Sequence, residues 1–192
     1  METAYYGLKG KKIMKFTYCP HCGTRLTEKE IGDEGLVPYC GNCRIPLFDM
    51  FSTCIIALVV NEKDEALLLR QSYISNHYYN LVSGYMKPGE RAEETAVREI
   101  AEETGVAVDR LEFVGTYWFG KKDMLMIGFF ARAKKQEPKL SGEVDAAEWV
   151  PVTSAIEMVH PSGSVSHTLV EKYIRQESMG FLAGDDNLYP HQ

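Results

Sequence analysis

Residues 84–106 read GYMKPGERAEETAVREIAEETGV. Three glutamates, Glu99, Glu102 and Glu103, stand within five positions, with Gly84 upstream and Gly105 just beyond. Like charges this close on a helix repel by roughly 0.2–0.5 kcal/mol per pair. Each helical residue advances about 100°, so with Glu99 at zero, Glu102 falls near roughly 300° and Glu103 near roughly 40°. Val97, Ile100, Ala101 and Thr104 fall on the other side, from roughly 100° to 200°. The pattern predicts a helix over Ala92–Thr104 with an apolar face on a core and an exposed, purely acidic face. Gly105 closes it as a left-handed cap. Crowded carboxylate oxygens are hard ligands that suit Mg²⁺ or Mn²⁺, and such an ion cancels the repulsion.

The flanks supply the rest of an α/β domain. CIIALVV (54–60) and EALLLRQ (65–71), separated by an NEKDE turn, predict a hairpin. HYYNLVSG (77–84) predicts a strand ending at Gly84. LEFVGTYWF (111–119) and DMLMIGFFARAKK (123–135) predict two more around a GKK turn, and AAEWVPV (146–152) a short one. SVSHTLVEKYIRQESMG (164–180) predicts a closing amphipathic helix with Val165, Leu169, Tyr173 and Ile174 near one face. Strands mixed with two helices indicate an α/β class. Cys54, inside an apolar run, reads as an inert buried thiol. His77, His160 and His167 have no spacing that suggests catalysis.

The chain has 192 residues, 45% of them hydrophobic, which suffices for one core and a small appendage. Its net charge is −6, so the surface as a whole does not attract nucleic acid. No run of 18 apolar residues is present, so no membrane span is expected. The first residues do not follow the pattern of a secretory leader, and a cytoplasmic location is the expectation. Residues 1–50 carry 7 Lys+Arg and 6 Asp+Glu, a net +1, which leaves −7 for residues 51–192. That shift suits a boundary near residue 50. The expected organisation is an N-terminal arm (1–16) rich in lysine, a small module (17–49), the α/β domain (50–180) and a tail (181–192).

The module carries Cys19-Pro-His-Cys22 and Cys40-Gly-Asn-Cys43, 17 residues apart. Two Cys-x-x-Cys turns at this spacing fit one Zn²⁺ held by four thiolates. Glycines next to the turns would permit unusual backbone angles. About 35 residues cannot build a core, so the metal supplies the folding energy and its role is structural. His21 reads as a solvated turn residue.

The opening stretch satisfies Gly-x5-Glu-x7-Arg-Glu-aliphatic-x-Glu-Glu-x-Gly-aliphatic through Gly84, Glu90, Arg98, Glu99, Ile100, Glu102, Glu103, Gly105 and Val106. It resembles the signature box of the Nudix hydrolases. That resemblance implies an α/β/α sandwich around a mixed sheet, and hydrolysis of a nucleoside diphosphate linked to another moiety. It makes Glu99, Glu102 and Glu103 the catalytic cluster and the ligands of Mg²⁺ or Mn²⁺, any one of them serving as base. It makes Glu90 and Arg98 an ion pair that braces loop and helix, with a phosphate contact as the other role open to Arg98. Gly84 would let the loop bend close to the metal.

A four-cysteine ribbon ahead of such a domain resembles the NADH pyrophosphatase branch of the family. GEVDAAEWV (142–150) resembles that branch's segment bearing a further metal ligand, which places Glu143 in that role; an exposed turn residue is the plainer reading. PSGSVSHTLVEKY resembles its closing helix. The branch's Ser-Gln-Pro-Trp-Pro-Phe-Pro-x-Ser signature is replaced here by GTYWFGKKD, which keeps only Trp118 and Phe119. The resemblance therefore implies a dinucleotide substrate such as NADH or NAD⁺ with a loosened preference. ADP-ribose, a nucleotide sugar or a modified nucleoside triphosphate are the enzymatic alternatives. A non-catalytic nucleotide sensor and a protein acting on the NAD-type cap of an RNA 5′ end are the others. Tyr85, Trp118, Phe119 and Lys87 are candidate substrate contacts, with solvent the plainer place for Lys87. The branch also implies a homodimer.

Overall fold

A computed structural model describes residues 16–178. The expected arm, apart from Phe16, and the expected tail lie outside the described residues. The chain divides into two compact units, Met1–Phe51 and Ser52–Gln192.

In the first unit β1 (Thr27–Glu30), β2 (Leu36–Cys40) and β3 (Ile45–Pro46) form an antiparallel sheet in that order. The described residues of this unit bury Cys19, Val37 and Cys40, and no larger apolar side chain. Apolar burial this small cannot offset the chain entropy lost on folding. The cysteines must therefore supply what a core does not.

The second unit is a mixed sheet between helices. Its strands are β4 (Ser52–Val60), β5 (Glu65–Arg70), β6 (Val82–Tyr85), β7 (Arg110–Phe119), β8 (Met124–Arg132) and β9 (Ala146–Pro151). The order is β7-β8-β4-β5-β9, with β4 and β8 parallel and the other pairs antiparallel. β6 pairs with the first half of β4, from Cys54↔Tyr85 to Ala57↔Val82, on the edge that β5 joins only at Val60↔Ala66. The hairpin expected from the sequence is present, but its strands part after that single pair. Its turn is tied by Asn61, which donates to Glu65 Oε2 at 2.8 Å and accepts from the amides of Lys63 and Glu65.

The apolar run in β4 is explained by burial on both sides of the sheet. Ile55, Ala57 and Val59 join one core with Leu67, Leu69, Val82 and Phe129, beneath α1 (Ala92–Thr104). Ile56, Leu58 and Val60 join the other with Leu68, Phe130 and Leu169, beneath α2 (Val152–Met158) and α3 (Val165–Ser178). Gly105 caps α1 at φ +67°, its amide reaching the Ala101 carbonyl.

Two expectations change. The short strand of 146–152 stops at Pro151, and Val152 opens α2, a helix the sequence pattern did not suggest. Its buried Val152 and Ala155 recur at helical spacing, but seven residues are too few for the period to stand out. The strand expected over 77–84 starts only at Val82, and before it Tyr79 and Asn80 make isolated bridges to Val159 and Leu69.

Candidate active site

Helix α1 lies across β6 and β4 with a different face inward than the wheel suggested. Thr95, Ala96, Ile100, Glu103 and Thr104 are buried, whereas Val97 is 43% exposed and Ala101 faces solvent. The buried arc is rotated toward the glutamates because the helix packs with part of its acidic arc against the sheet. Glu103, expected on an exposed face, is only 5% exposed. Glu99 is largely covered, at 14% side-chain exposure, and Glu102 stands out in solvent at 54%.

Gly84 sits inside β6, outside the left-handed region of backbone space, so the missing side chain does not serve a bend. It makes room. A Cβ built there would lie 2.0 Å from Cδ of Glu99 and 2.2 and 2.4 Å from its oxygens. The Glu99 carboxylate thus lies against the strand backbone where any other residue would intrude.

Arg98 organises the exposed side. Its Nε and Nη2 donate to the two oxygens of Glu90 at 2.7 and 2.9 Å. Nη1 reaches Glu99 at 2.7 Å and Glu102 at 2.9 Å, and Nη2 also reaches the Tyr85 carbonyl at 3.2 Å. All five guanidinium protons are thereby engaged. Glu90 also accepts from the Lys87 amide and the Thr95 hydroxyl. The Arg98 hydrogen bonds, followed by that amide, hold its carboxyl down near about 2. The loop 85–90 and α1 are joined through this pair, with Thr95–Glu90 and Arg98–Tyr85 O beside it. Lys87 lies 3.8 Å from Glu102, so it faces solvent at the rim of the acidic cluster.

On the buried side, Glu103 Oε1 accepts from Gln71 Nε2 at 3.2 Å, and Oε2 has no partner among the described residues. Burial first, then the charge of Glu99, pushes the Glu103 carboxyl up to about 7, against the hydrogen bond from Gln71 and the pull of the Ser83 backbone amide. The same Gln71 nitrogen donates to the Tyr73 hydroxyl at 3.3 Å. Burial, then the charges of Glu103, Glu143, Asp145 and Glu99, push the Tyr73 phenol above its ordinary value and keep it protonated. Glu143 is exposed on the loop after Ser141. That loop is fastened to the end of α1 by Ser141 N–Glu103 O at 3.2 Å and Lys139 N–Thr104 O at 2.8 Å.

Gln71 and Tyr73 are the site residues that the sequence reading missed. The available signal was a glutamine closing an apolar strand, at the point where the side chain must be either exposed or partnered. Trp118 and Phe119 are on β7, opposite Leu125 and Met124. Successive strand residues face opposite sides, so Trp118 shares the α1 side with Ile127 and Phe129, while Phe119 belongs to the other side. Tyr85 ends β6 with its ring 56% exposed.

The acidic cluster fits a divalent cation by its chemistry. It offers hard oxygens, one buried oxygen without a partner, and a hollow kept open by Gly84. Its donors are not gathered, however. Among the described residues, the four cysteines are the one set of three or more candidate ligands lying within 4.8 Å of one another. Their Sγ–Sγ separations are 3.9 Å for Cys19–Cys43 and 3.5 Å for Cys22–Cys40. A zinc tetrahedron with bonds of about 2.3 Å requires sulfurs about 3.8 Å apart. The turns differ from the expectation in one respect. Gly23 supplies the left-handed angle after the first pair, at φ +71°, but Arg44 supplies it after the second, at φ +59°.

A family model for the NUDIX domain matches residues 50–169, and the chain belongs to the Nudix family. It is similar to the NAD-capped RNA hydrolase NudC of Pseudomonas aeruginosa, 30% identical over 163 residues that make up 84% of this chain and 56% of that protein. It is also similar to the NAD-capped RNA hydrolase NudC of Vibrio atlanticus, 28% identical over 167 residues, 86% of this chain and 60% of that one. The chain therefore spans little more than half the length of these relatives. Among solved structures it resembles a Nudix hydrolase from Nitrosomonas europaea, with TM-score 0.67, 17% identity, and 86% and 94% of the two chains covered. It also resembles the Nudix domain of Shewanella oneidensis NrtR complexed with ADP ribose, with TM-score 0.57, 19% identity, and 72% and 94% covered. These two likenesses bear on the fold.

Proposed function

We propose that this protein hydrolyses the diphosphate linkage of a dinucleotide of the NAD type, as the free molecule or as the cap of an RNA 5′ end. One observation carries the proposal: a buried carboxylate with an unpartnered oxygen, Glu103, stands beside a second carboxylate, Glu99, laid into the hollow at Gly84. The similarity to NAD-capped RNA hydrolases supports the substrate class. Glu99, Glu102 and Glu103, joined by Glu143 from the neighbouring loop, would hold Mg²⁺ or Mn²⁺. When bound, such an ion neutralises the diphosphate and makes a bound water acidic enough to attack at neutral pH.

The chain's own residues do the rest. Arg98 and Glu90 fix the loop against the helix that carries the carboxylates. A carboxylate of the cluster takes the proton of the attacking water. A new P–O bond forms, the anhydride P–O bond breaks, and two mononucleotides leave, or, from a cap, one mononucleotide and an RNA 5′-monophosphate. Trp118, on the α1 side of the sheet, and Tyr85 would offer ring faces to a base.

In the first unit, Cys19, Cys22, Cys40 and Cys43 would hold one Zn²⁺ in a structural role. The protein would act in the cytoplasm as a homodimer, a reading that a monomer in sedimentation at micromolar concentration removes. The deciding experiment is a hydrolysis panel with Mg²⁺ or Mn²⁺ over NADH, NAD⁺, ADP-ribose, a nucleotide sugar and NAD-capped RNA, with products identified. Mononucleotide release from the NAD-type substrates is the expected result. Turnover of the nucleotide sugar with NADH inert would overturn the substrate class, and no turnover at all would overturn the enzyme reading.

A further inference from the structure

Gln71 combines features that burial alone does not account for. It is 1% exposed, follows the last residue of β5, and spends both amide protons on groups of the acidic cluster. One goes to Glu103 Oε1 at 3.2 Å and the other to the Tyr73 hydroxyl at 3.3 Å. Its backbone carbonyl accepts from the amides of Ile74 and Ser75, at 2.9 and 3.0 Å, so the residue also anchors the turn that carries Tyr73. A chain leaving a sheet at a buried position would ordinarily place an apolar side chain there. A buried amide costs free energy unless partnered, and here the side-chain amide oxygen of Gln71 remains without a partner among the described residues.

Oxygen choice at Glu103 follows from this contact. A carboxylate has two equivalent oxygens and rotates freely unless one is held. Only the N–H edge of an amide can face an ionised carboxylate, so Gln71 binds Oε1 and leaves Oε2 as the oxygen with no protein partner. The Tyr73 hydroxyl accepts the second proton and gives the amide a second anchor, while the carboxylate sets its orientation, because a flip would break the bond to Glu103 and point the amide oxygen at the carboxylate.

We infer that Gln71 is a positioning residue of this site, fixing through its amide the orientation in which Glu103 presents an oxygen to a divalent cation, with Tyr73 as the second anchor of the amide. The inference rests on the proposed metal-dependent reading of the cluster. Residues that hydrogen-bond a metal-binding carboxylate typically govern metal affinity or activity by about 10–100-fold. That range sets the expected effect.

The test uses the full chain and Mn²⁺ as probe. Free Mn²⁺ is followed by electron paramagnetic resonance in titrations of the wild type, Gln71→Met and Tyr73→Phe, alongside kcat and KM on NADH and thermal melting. Methionine keeps the length and volume of glutamine without its donors. Gln71→Met is expected to weaken Mn²⁺ binding about tenfold or more and to lower kcat by a similar factor, with KM nearly unchanged and Tm within a few degrees. Tyr73→Phe, a change at an exposed ring, is expected to shift the same two quantities in the same direction by about two- to fivefold, below the loss from Gln71 itself. Wild-type Mn²⁺ affinity and kcat in a folded Gln71→Met overturn the inference. Should Gln71→Met not fold, wild-type values in Tyr73→Phe overturn it instead. A wild type inert toward NADH whose Mn²⁺ affinity still depends on Gln71 removes the substrate reading and leaves the inference standing.

Discussion

The two candidate ligand clusters of this protein are built on opposite plans. The four thiols of the first unit lie within 4.8 Å of one another, two of them almost wholly buried. The carboxylates of the second unit are spread. Glu102 is drawn out by Arg98 and Lys87, Glu99 is held between Arg98 and Gly84, and Glu103 is held inside by Gln71. A closed set of soft ligands leaves no position for a substrate and suits a structural ion. An open set of hard ligands leaves room for water and phosphate oxygens. Ligand identity is set by residue type, while the role of a site is set by how much of it the protein has already filled.

Cys40→Ser should abolish the zinc content expected of the wild type, about one ion per chain, and unfold the small sheet, since structural zinc supplies about 10–16 kcal/mol of apparent binding energy in modules of this kind. Hydrogen exchange should show residues 17–48 unprotected and the larger unit still melting as before. Retained protection in the presence of a strong chelator would mean that Val37 and the hairpin bonds suffice without metal.

The next effect concerns Glu103. Glu103→Gln should keep the fold and lower kcat by about a hundredfold or more, because a ligand charge and a candidate base are lost together. It should also change stability in protein stripped of divalent ions. The Glu103 carboxyl is raised from its ordinary value to about 7 in the folded state. Its contribution is therefore fully present below about pH 4.5, where it is protonated in both states, and is lost as pH rises toward 7. Chemical denaturation across that window should show the wild type losing stability relative to Glu103→Gln by a few kcal/mol. Parallel stability curves, or undiminished kcat in the folded variant, would place the cluster among ordinary charged surfaces.

The smallest of these effects sharpens the comparison at one atom. Gly84→Ala puts a methyl group within 2.0 Å of Glu99 Cδ, and the flexible carboxylate is the part that can yield. The fold should survive with Tm lowered by a few degrees, and kcat should fall by about tenfold as Glu99 is displaced. An unchanged kcat would show that Glu99 works equally well away from the strand.

Much of the larger unit was legible because its signals are local. The helix Ala92–Thr104 has its stop residue in sequence, and β4 announces itself as an unbroken apolar run. The two cysteine pairs needed only spacing. What stayed hidden depended on distant packing. The wheel of α1 gave the angles among Glu99, Glu102 and Glu103 correctly but not which part of the circle met the sheet. A buried carboxylate is an improbable choice until Gln71, 32 residues away, is seen to partner it. Phe119 could be told from Trp118 only after the register of β7 on β8 was known.

The parallel pairing of β4 with β8 has a consequence for how the molecule comes into being. Ser52 meets Met124 and Val60 meets Arg132, so the bond-forming edges of β4 wait for partners about seventy residues further along the chain. Antiparallel partners β5 and β6 are close at hand, and α1 follows directly, so residues 52–106 can gather around local contacts first. Until β8 arrives, one edge of β4 is bare, and the strand bearing it is the most apolar of the unit. A bare apolar edge pairs readily with a neighbouring chain. Refolding yield should therefore fall as protein concentration rises, with self-association competing against closure of the sheet.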